Sequence, residues 1–326
     1  MTILFHNTTF DKIDIWKKTI KKYFKNEKII SIKDYKQFDD VKYAIIWNLP
    51  DKTLSKLKNL KVIFSMGAGI DHILKLKSYN KKIPIVRIKD SKMAERIANY
   101  TLAQILNYQL NFKIFQNSQI LNYQLNFKIF QNSQIKKYWS GERTPIDNEN
   151  LTVGILGLGF LGSRIAKKLV NLNYNVIAFK KSPKRLSNIK IYTKKNIIKF
   201  IKNSDVIVSI LPATPETDNI INASFLKKMK KKSCLINIGR GNAIDESALV
   251  EHSKSNKDFF AYLDVFKSEP LKPSSKLWEL TNVSITPHVA GVTVIESAIE
   301  YMFTKYKIYK KNHKLKSDVE SNKHFY

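Results

Sequence analysis

The stretch from Leu151 to Leu169 leaves this chain little choice of fold. An apolar run with Leu151, Val153, Ile155 and Leu156 meets Gly157-Leu158-Gly159-Phe160-Leu161-Gly162. Ile165, Ala166 and Leu169 then follow at helical spacing. The order predicts strand, tight turn and helix, the unit that opens a dinucleotide site in a parallel sheet. Each glycine has its own reason to be there. Gly157 permits the turn, Gly159 lets backbone approach a pyrophosphate, and Gly162 lets helix pack closely on strand. Phe160 and Leu161 begin the helix, whose N-terminal N–H groups and dipole favour phosphate.

The rest of the chain supports that unit. Before residue 92, strand-like runs at 3–5, 27–32, 41–47, 61–67 and 83–88 alternate with helix-like pieces at 12–24, 52–60 and 71–76. After Leu151 the alternation resumes, with strands expected at 175–179, 205–211, 233–238, 259–266 and 283–287 and helices at 222–230, 245–253 and 294–311. Such alternation predicts an α/β protein with doubly wound parallel sheets. The 326 residues are enough for two domains, each with its own core. The loop Ser65-Met66-Gly67-Ala68-Gly69-Ile70-Asp71 follows a strand and precedes a helix, as an anion-holding loop or a plain turn would.

Composition narrows the function. Apolar content of 43% and 11% aromatics describe a globular chain. No apolar run is long enough to span a bilayer, the start lacks a secretory pattern, and Cys234 has no partner for an intrachain disulfide. A cytoplasmic protein without membrane partners or a metal site is the expectation. The net charge of +30 suggests nucleic acid, yet only six of the 57 basic residues are arginine. The lysines are spread along the chain with many Ile and Asn, all three drawn from A/T-rich codons. Genome composition therefore explains the charge, and no nucleic-acid partner is expected.

Residues 104–118, QILNYQLNFKIFQNS, recur unchanged as residues 119–133. Two units of 15 residues are too few and too short for a solenoid. Leu106, Tyr108, Leu110, Phe112 and Ile114 alternate as a strand would, while the flank from Met93 to Ile105 is helix-forming. Both copies in one helix would displace everything downstream by about 22 Å. One copy in the native place and one extruded is the simpler arrangement, and identical sequences do not say which is which.

The second strand of the nucleotide unit ends at Phe179, where NAD sites usually carry an acid for the ribose hydroxyls. Here Lys180-Lys181-Ser182-Pro183-Lys184-Arg185 follows, and no acid occurs between Ser163 and Ser204. Lysine, serine and arginine suit a 2′-phosphate, so NADPH is expected over NADH. Three further polar residues stand at or beyond expected strand ends: Arg240, Glu269 and His288. A histidine can protonate a forming alkoxide, a carboxylate can orient its ring, and an arginine can clamp a substrate carboxylate. Behind a dinucleotide turn, the three together predict a dehydrogenase.

Six segments carry a resemblance: GAGID (67–71), GLGFLG (157–162), SILPATPETDNIIN (209–222), INIGRGNAIDESALV (236–250), LDVFKSEPL (263–271) and ITPHVAG (285–291). In these the chain resembles the D-isomer-specific 2-hydroxyacid dehydrogenases. It looks most like their glyoxylate/hydroxypyruvate reductase A type, with Arg87 after the strand that follows the GAGID loop and an aromatic end at Phe325-Tyr326. The resemblance implies a flavodoxin-like substrate domain (1–92 with 293–326) around an inserted Rossmann cofactor domain (93–292). It implies NADPH-dependent reduction of a small 2-oxo acid, with a broader 2-oxo acid reductase or a nucleotide-sensing binding protein as alternatives. Arg240 would bind the 2-oxo acid, and Glu269 would pair with His288, the proton donor. Leu211, Pro212 and Thr217 would border the cofactor, as would Ile238 and Gly239, with Asp264 on the nicotinamide side. Backbone at Met66, Gly67, Ala68 and Gly69 would hold the substrate carboxylate, with Trp47 a pocket wall. A homodimer is implied. The second copy of the repeat bears on the dimer interface and hinge, not on the catalytic residues.

Overall fold

The computed structural model describes residues 1–8, 12–33, 38–109, 137, 146–181, 189–315 and 317. They fall into two compact units, Met1–Met93 with Val292–Tyr326, and Ala94–Gly291. Among the described residues no helix is long and apolar enough to cross a membrane, and no group of His, Cys, Asp and Glu could hold a metal ion.

The first unit contains β1 (Thr2–Asn7), α1 (Ile13–Tyr23), β2 (Lys28–Ile30), β3 (Val41–Trp47), α2 (Asp51–Leu54), β4 (Val62–Ser65), α3 (Asp71–Leu74) and β5 (Ile85–Val86). Its strands pair in the order β2-β1-β3-β4-β5, all parallel, which is the flavodoxin-like order. Both faces are covered, so β3 and β4 read as near-continuous apolar runs with Ala44, Ile45, Ile46, Ile63 and Phe64 fully buried. The helix α1 buries Trp16, Thr19 and Ile20, one face at helical spacing. The chain leaves this unit through α4 (Ser91–Gln109) and returns for its last helix.

The second unit runs β6 (Thr152–Leu156), α5 (Phe160–Val170), β7 (Asn175–Phe179), β8 (Lys190–Tyr192), α6 (Ile197–Asn203), β9 (Val206–Ser209), α7 (Ala223–Lys228), β10 (Ser233–Asn237), α8 (Glu246–Ser255), β11 (Phe259–Leu263) and β12 (Val283–Ile285). The parallel sheet is ordered β12-β11-β10-β9-β6-β7-β8. It reverses between β6 and β9, the switch point at which Rossmann sheets bind ligand. Phe200, Ile207, Leu235, Leu249, Phe259 and Leu263 form part of its core. Burying each such side chain is worth about 1.5–3 kcal/mol. The returning helix α9 (Ile295–Asn312) packs on α1, with the Phe303 and Tyr306 rings 5.0 and 5.2 Å from Phe24.

Several expectations shift by a few residues, for visible reasons. The helix expected at 52–60 stops at Leu54, because the chain then closes tighter turns (Leu57 N to Leu54 O, Leu60 N to Leu57 O). The strand expected to 266 ends at Leu263, since Phe266 donates its N–H to the Glu269 side chain instead of a ladder. The strand β8 and helix α6 lie in lysine-rich sequence whose apolar spacing is sparse. Residues 104–109, the start of the repeat, continue the α4 helix despite their strand-like alternation. The rest of the first copy and the whole second copy lie outside the described residues, as do Ser182, Lys184, Arg185, Phe325 and Tyr326.

Candidate active site

The glycine turn shows three kinds of requirement. Gly157 has φ +113°, a conformation L side chains rarely adopt, and its N–H is donated to Phe179 O. A Cβ on Gly162 would lie 2.0 Å from Gly157 O, so helix α5 meets the turn backbone to backbone. A Cβ on Gly159 would meet nothing within 4 Å. The protein's own packing does not demand a glycine there, whereas close approach by a pyrophosphate would. Gly159 caps α5, and the first-turn N–H groups at Phe160, Leu161 and Gly162 precede the first intrahelical acceptor pair, Ser163 N to Gly159 O. Phe160 is 42% exposed. These features fit a dinucleotide pyrophosphate.

At the end of β7, Lys180 donates its N–H to Tyr192 O, and the exposed Lys181 pairs with Glu216 at 3.0 Å. Glu216, the partner of Lys181, lies beyond the acid-free stretch from 163 to 204. It belongs to the loop after β9, where Thr217 Oγ1 donates to Pro212 O (2.6 Å) and Thr214 N donates to Thr217 Oγ1 (2.9 Å). Thr217 thus shapes the loop that starts at the buried Leu211 and the half-buried Pro212.

Arg240 is positioned by two glycines. A Cβ on Gly239 would come within 2.6 Å of the Leu211 backbone, and one on Gly241 within 1.8 Å of Phe266 C. The chain either side of Arg240 is therefore wedged between two loops. Ile238 donates its N–H to Ser209 O, and Asn237 Nδ2 donates to Arg240 O. The guanidinium Nη1 donates to Gly239 O at 2.9 Å.

Glu269 and His288 meet directly, with Oε2 to Nδ1 at 2.7 Å, and both side chains retain exposure (36% and 49%). The other oxygen, Oε1, accepts Phe266 N–H at 2.9 Å. Burial pushes the Glu269 carboxyl up, but the bonds from His288 and Phe266 outweigh it. With the charges of His288 and Arg240 added, the carboxyl lies below its usual range. All three residues therefore share one electrostatic neighbourhood. An ionised Glu269 only accepts, so Nδ1 carries a hydrogen and Nε2 is the nitrogen left to exchange a proton. His288 has φ +55°, and its N–H is held by Asp264 O (2.9 Å) and Thr286 O (3.1 Å). The Asp264 carboxylate, 1% exposed, accepts Val289 and Ala290 N–H at 2.8 and 2.9 Å. It thus holds the loop that carries His288.

A carboxyl whose folded value is depressed contributes stability above its unfolded value, and loses it as pH falls through the folded value. Replacing Glu269 with Gln should therefore make the protein less sensitive to acid below about pH 4.3. Unfolding midpoints of wild type and variant measured from pH 6 down to pH 3 would check this; parallel curves would contradict it.

In the first unit, the residues expected on the substrate side gather at the ends of β3 and β4. The Trp47 ring lies against Gly67, whose added Cβ would come within 2.5 Å of it, and His72 stands at 4.1 Å from Trp47 between ring centroids. Met66 is fully buried, and its N–H is donated to Ile46 O. Gly67 N–H reaches Ser65 Oγ at 3.4 Å, and Ser65 Oγ donates to Gly69 O at 3.0 Å. Ala68 lies between them. His72 and Glu216 have no distinguishing signal in the sequence.

The family described as D-isomer specific 2-hydroxyacid dehydrogenase, NAD binding domain, matches residues 118–290, a span that takes in the second copy of the repeat. Over 98% of both chains, the structure is similar (TM-score 0.85, 27% identity) to a probable 2-hydroxyacid dehydrogenase from Rhizobium etli in complex with NADP, HEPES and L(+)-tartaric acid. A D-isomer specific 2-hydroxyacid dehydrogenase from Xanthobacter autotrophicus, in complex with NADPH and MES, gives the same TM-score at 25% identity and the same coverage. The NADPH-dependent glyoxylate/hydroxypyruvate reductase of Sinorhizobium meliloti, in complex with NADP and sulfate, matches at 26% identity and TM-score 0.85, over 98% of this chain and 99% of that one. With more than half its length matched by the family and both sheets in place, this chain belongs to the D-isomer specific 2-hydroxyacid dehydrogenases, NAD(P)-dependent oxidoreductases.

Proposed function

We propose that this chain reduces glyoxylate and hydroxypyruvate to glycolate and D-glycerate with NADPH. The observation that carries the reading is the 2.7 Å pair of His288 and Glu269, in the field of Arg240 and in the same unit as the glycine turn. NADPH, when bound, supplies the hydride that reaches the carbonyl carbon. His288 gives the alkoxide its proton from Nε2, and Glu269 keeps the ring oriented. Arg240 clamps the substrate carboxylate and polarises the neighbouring carbonyl. The 94–291 unit holds the cofactor, through the glycine turn, Lys180, Lys181, Ser182, Lys184, Arg185, the Leu211-Pro212 loop, Thr217, Ile238, Gly239 and Asp264. Within the 1–93 unit, Trp47 and the Met66–Gly69 loop are the groups suited to a substrate carboxylate. Because Met66 and Gly67 already donate within the unit, the N–H groups of Ala68 and Gly69 are the ones to meet a carboxylate. The S. meliloti reductase supports the substrate choice. A homodimer is part of the same reading, and sedimentation of the purified chain tests it.

The deciding experiment is oxidation of NADPH and NADH by the purified protein, with glyoxylate, hydroxypyruvate and pyruvate in parallel. Fast turnover of the first two with NADPH is expected. Pyruvate as the best substrate would indicate a broader 2-oxo acid reductase, and NADPH binding without turnover of any acid would indicate a nucleotide sensor. Lys181 and Arg185 changed together to glutamate should raise KM for NADPH about a hundredfold, as two charge-assisted phosphate contacts are lost. KM for NADH should move little, and equal effects on both would reject the phosphate assignment.

A further inference from the structure

The loop carrying His288 is tied to α4 by a chain of hydrogen bonds whose direction can be worked out. Thr286 Oγ1 stands 2.6 Å from Asp264 Oδ1 and 2.7 Å from Tyr100 Oη. A carboxylate oxygen accepts, and Asp264 Oδ1 already takes the Val289 N–H. The single Thr286 hydroxyl proton therefore goes to Asp264. Thr286 has no proton left for Tyr100, so Tyr100 must donate to Thr286. The order is Tyr100 to Thr286 to Asp264, ending on the carboxylate that gathers the N–H groups of Val289 and Ala290, while the Asp264 carbonyl takes that of His288.

We propose that Tyr100 is a positioning residue for the proton donor. It acts through Thr286 and Asp264 to hold the His288 loop in the conformation in which the imidazole faces Glu269. This rests on the assignment of His288 as proton donor. Three observations agree with it. The His288 backbone is in the left-handed region, which a β-type loop does not enter unless its surroundings impose it. Burial, opposed by the bond to Thr286 and aided by the Asp264 charge, pushes the Tyr100 hydroxyl up to about 12, so it keeps its donor proton at working pH. The helix that presents it buries Ile97, Ala98 and Ile105, and its Glu95 is ion-paired with Arg164 (2.8 Å) and Lys168 of α5, the helix of the glycine turn. One helix thereby anchors both the nucleotide turn and the proton-donor loop.

The test is Tyr100→Phe, which removes one hydroxyl and keeps the ring, with Thr286→Val and Thr286→Ser beside it. In Tyr100→Phe and Thr286→Val, kcat for glyoxylate reduction should fall about tenfold, short of the roughly hundredfold that a 1 Å misplacement can cost. KM for NADPH should change far less than kcat, because the glycine turn is untouched and Asp264 keeps its bonds to Val289 and Ala290. Thr286→Ser keeps the hydroxyl and should behave as wild type. The double variant Tyr100→Phe/Thr286→Val should be no slower than Thr286→Val alone, since both break one chain. Amide hydrogen exchange at His288, Val289 and Ala290 should quicken in the same variants while the β6 and β9 amides stay protected. That readout needs no turnover, so it separates failure of this inference from failure of the proposed reaction. Unchanged exchange at residues 288–290 together with unchanged kcat in Tyr100→Phe would overturn the inference, as would equal loss across the whole sheet. Should Tyr100→Phe fail to fold, Thr286→Val against Thr286→Ser decides.

Discussion

Replacing His288 with Asn should lower kcat for 2-oxo acid reduction by between about a hundredfold and ten thousandfold, the usual worth of a positioned acid. Asparagine is the informative choice. The His288 backbone has φ +55°, which asparagine tolerates far better than alanine or leucine, so the loop keeps its shape. The new amide can still donate to Glu269, and no group of the glycine turn changes. NADPH affinity should therefore hold within about twofold while turnover collapses, the pattern of an interaction made only in the transition state. Fluorescence titration with NADPH alongside steady-state rates would show it. A variant that retained wild-type kcat would remove His288 from the chemistry and leave the 2.7 Å pair with Glu269 as a loop fastener.

How far the residues announced this arrangement depends on how local each feature is. The strand-turn-helix at 151–169 was legible because its glycines act within six positions of one another, and the structure shows a separate steric reason for Gly157 and for Gly162. The apolar runs gave both parallel sheets for the same reason, as a strand buried on both faces declares itself in four or five residues. His288 and Glu269 were legible as polar residues at or beyond strand ends with complementary chemistry, while the resemblance paired them directly across two loops 19 positions apart. Lys181 stood out as part of the basic turn, but nothing in the sequence marked Glu216, 35 positions on, as its partner. Tyr100 and Thr286 lie 186 apart, on a helix and at a strand end, and their bond exists only once the sheet is closed. The strand at 190–192 and the helix at 197–203 were lost in sequence where lysine interrupts the apolar period. What is local in sequence was readable; what depends on the sheet bringing distant loops together was not.

The glycine turn itself allows packing and ligand binding to be separated, since two of its glycines should fail in opposite ways. Gly162→Ala puts a methyl carbon 2.0 Å from Gly157 O and 3.3 Å from Ile210 Cγ2. The nearer obstacle is backbone, held by the Gly157 N–H bond to Phe179 O, so it has no rotamer by which to withdraw. Overpacking of this kind costs about 1–3 kcal/mol or more, and Tm should drop by several degrees, at about 2–4 °C per kcal/mol for a unit of this size. Gly159→Ala should do the reverse. Its backbone, at φ −89° and ψ −158°, is extended and open to any residue, and the added methyl meets no protein atom within 4 Å. Only the modest preference for glycine over alanine at a helix N-cap opposes it, so Tm should hardly move. If the pyrophosphate lies where the turn points, that methyl stands in its place and displaces about two charge-assisted bonds, a loss of roughly a hundredfold in NADPH affinity. Calorimetric Tm and NADPH titration of the two variants, run side by side, should therefore give crossed results. A Gly159→Ala protein that binds NADPH as wild type does would show that the cofactor's phosphates lie elsewhere, whatever the stability of its neighbour.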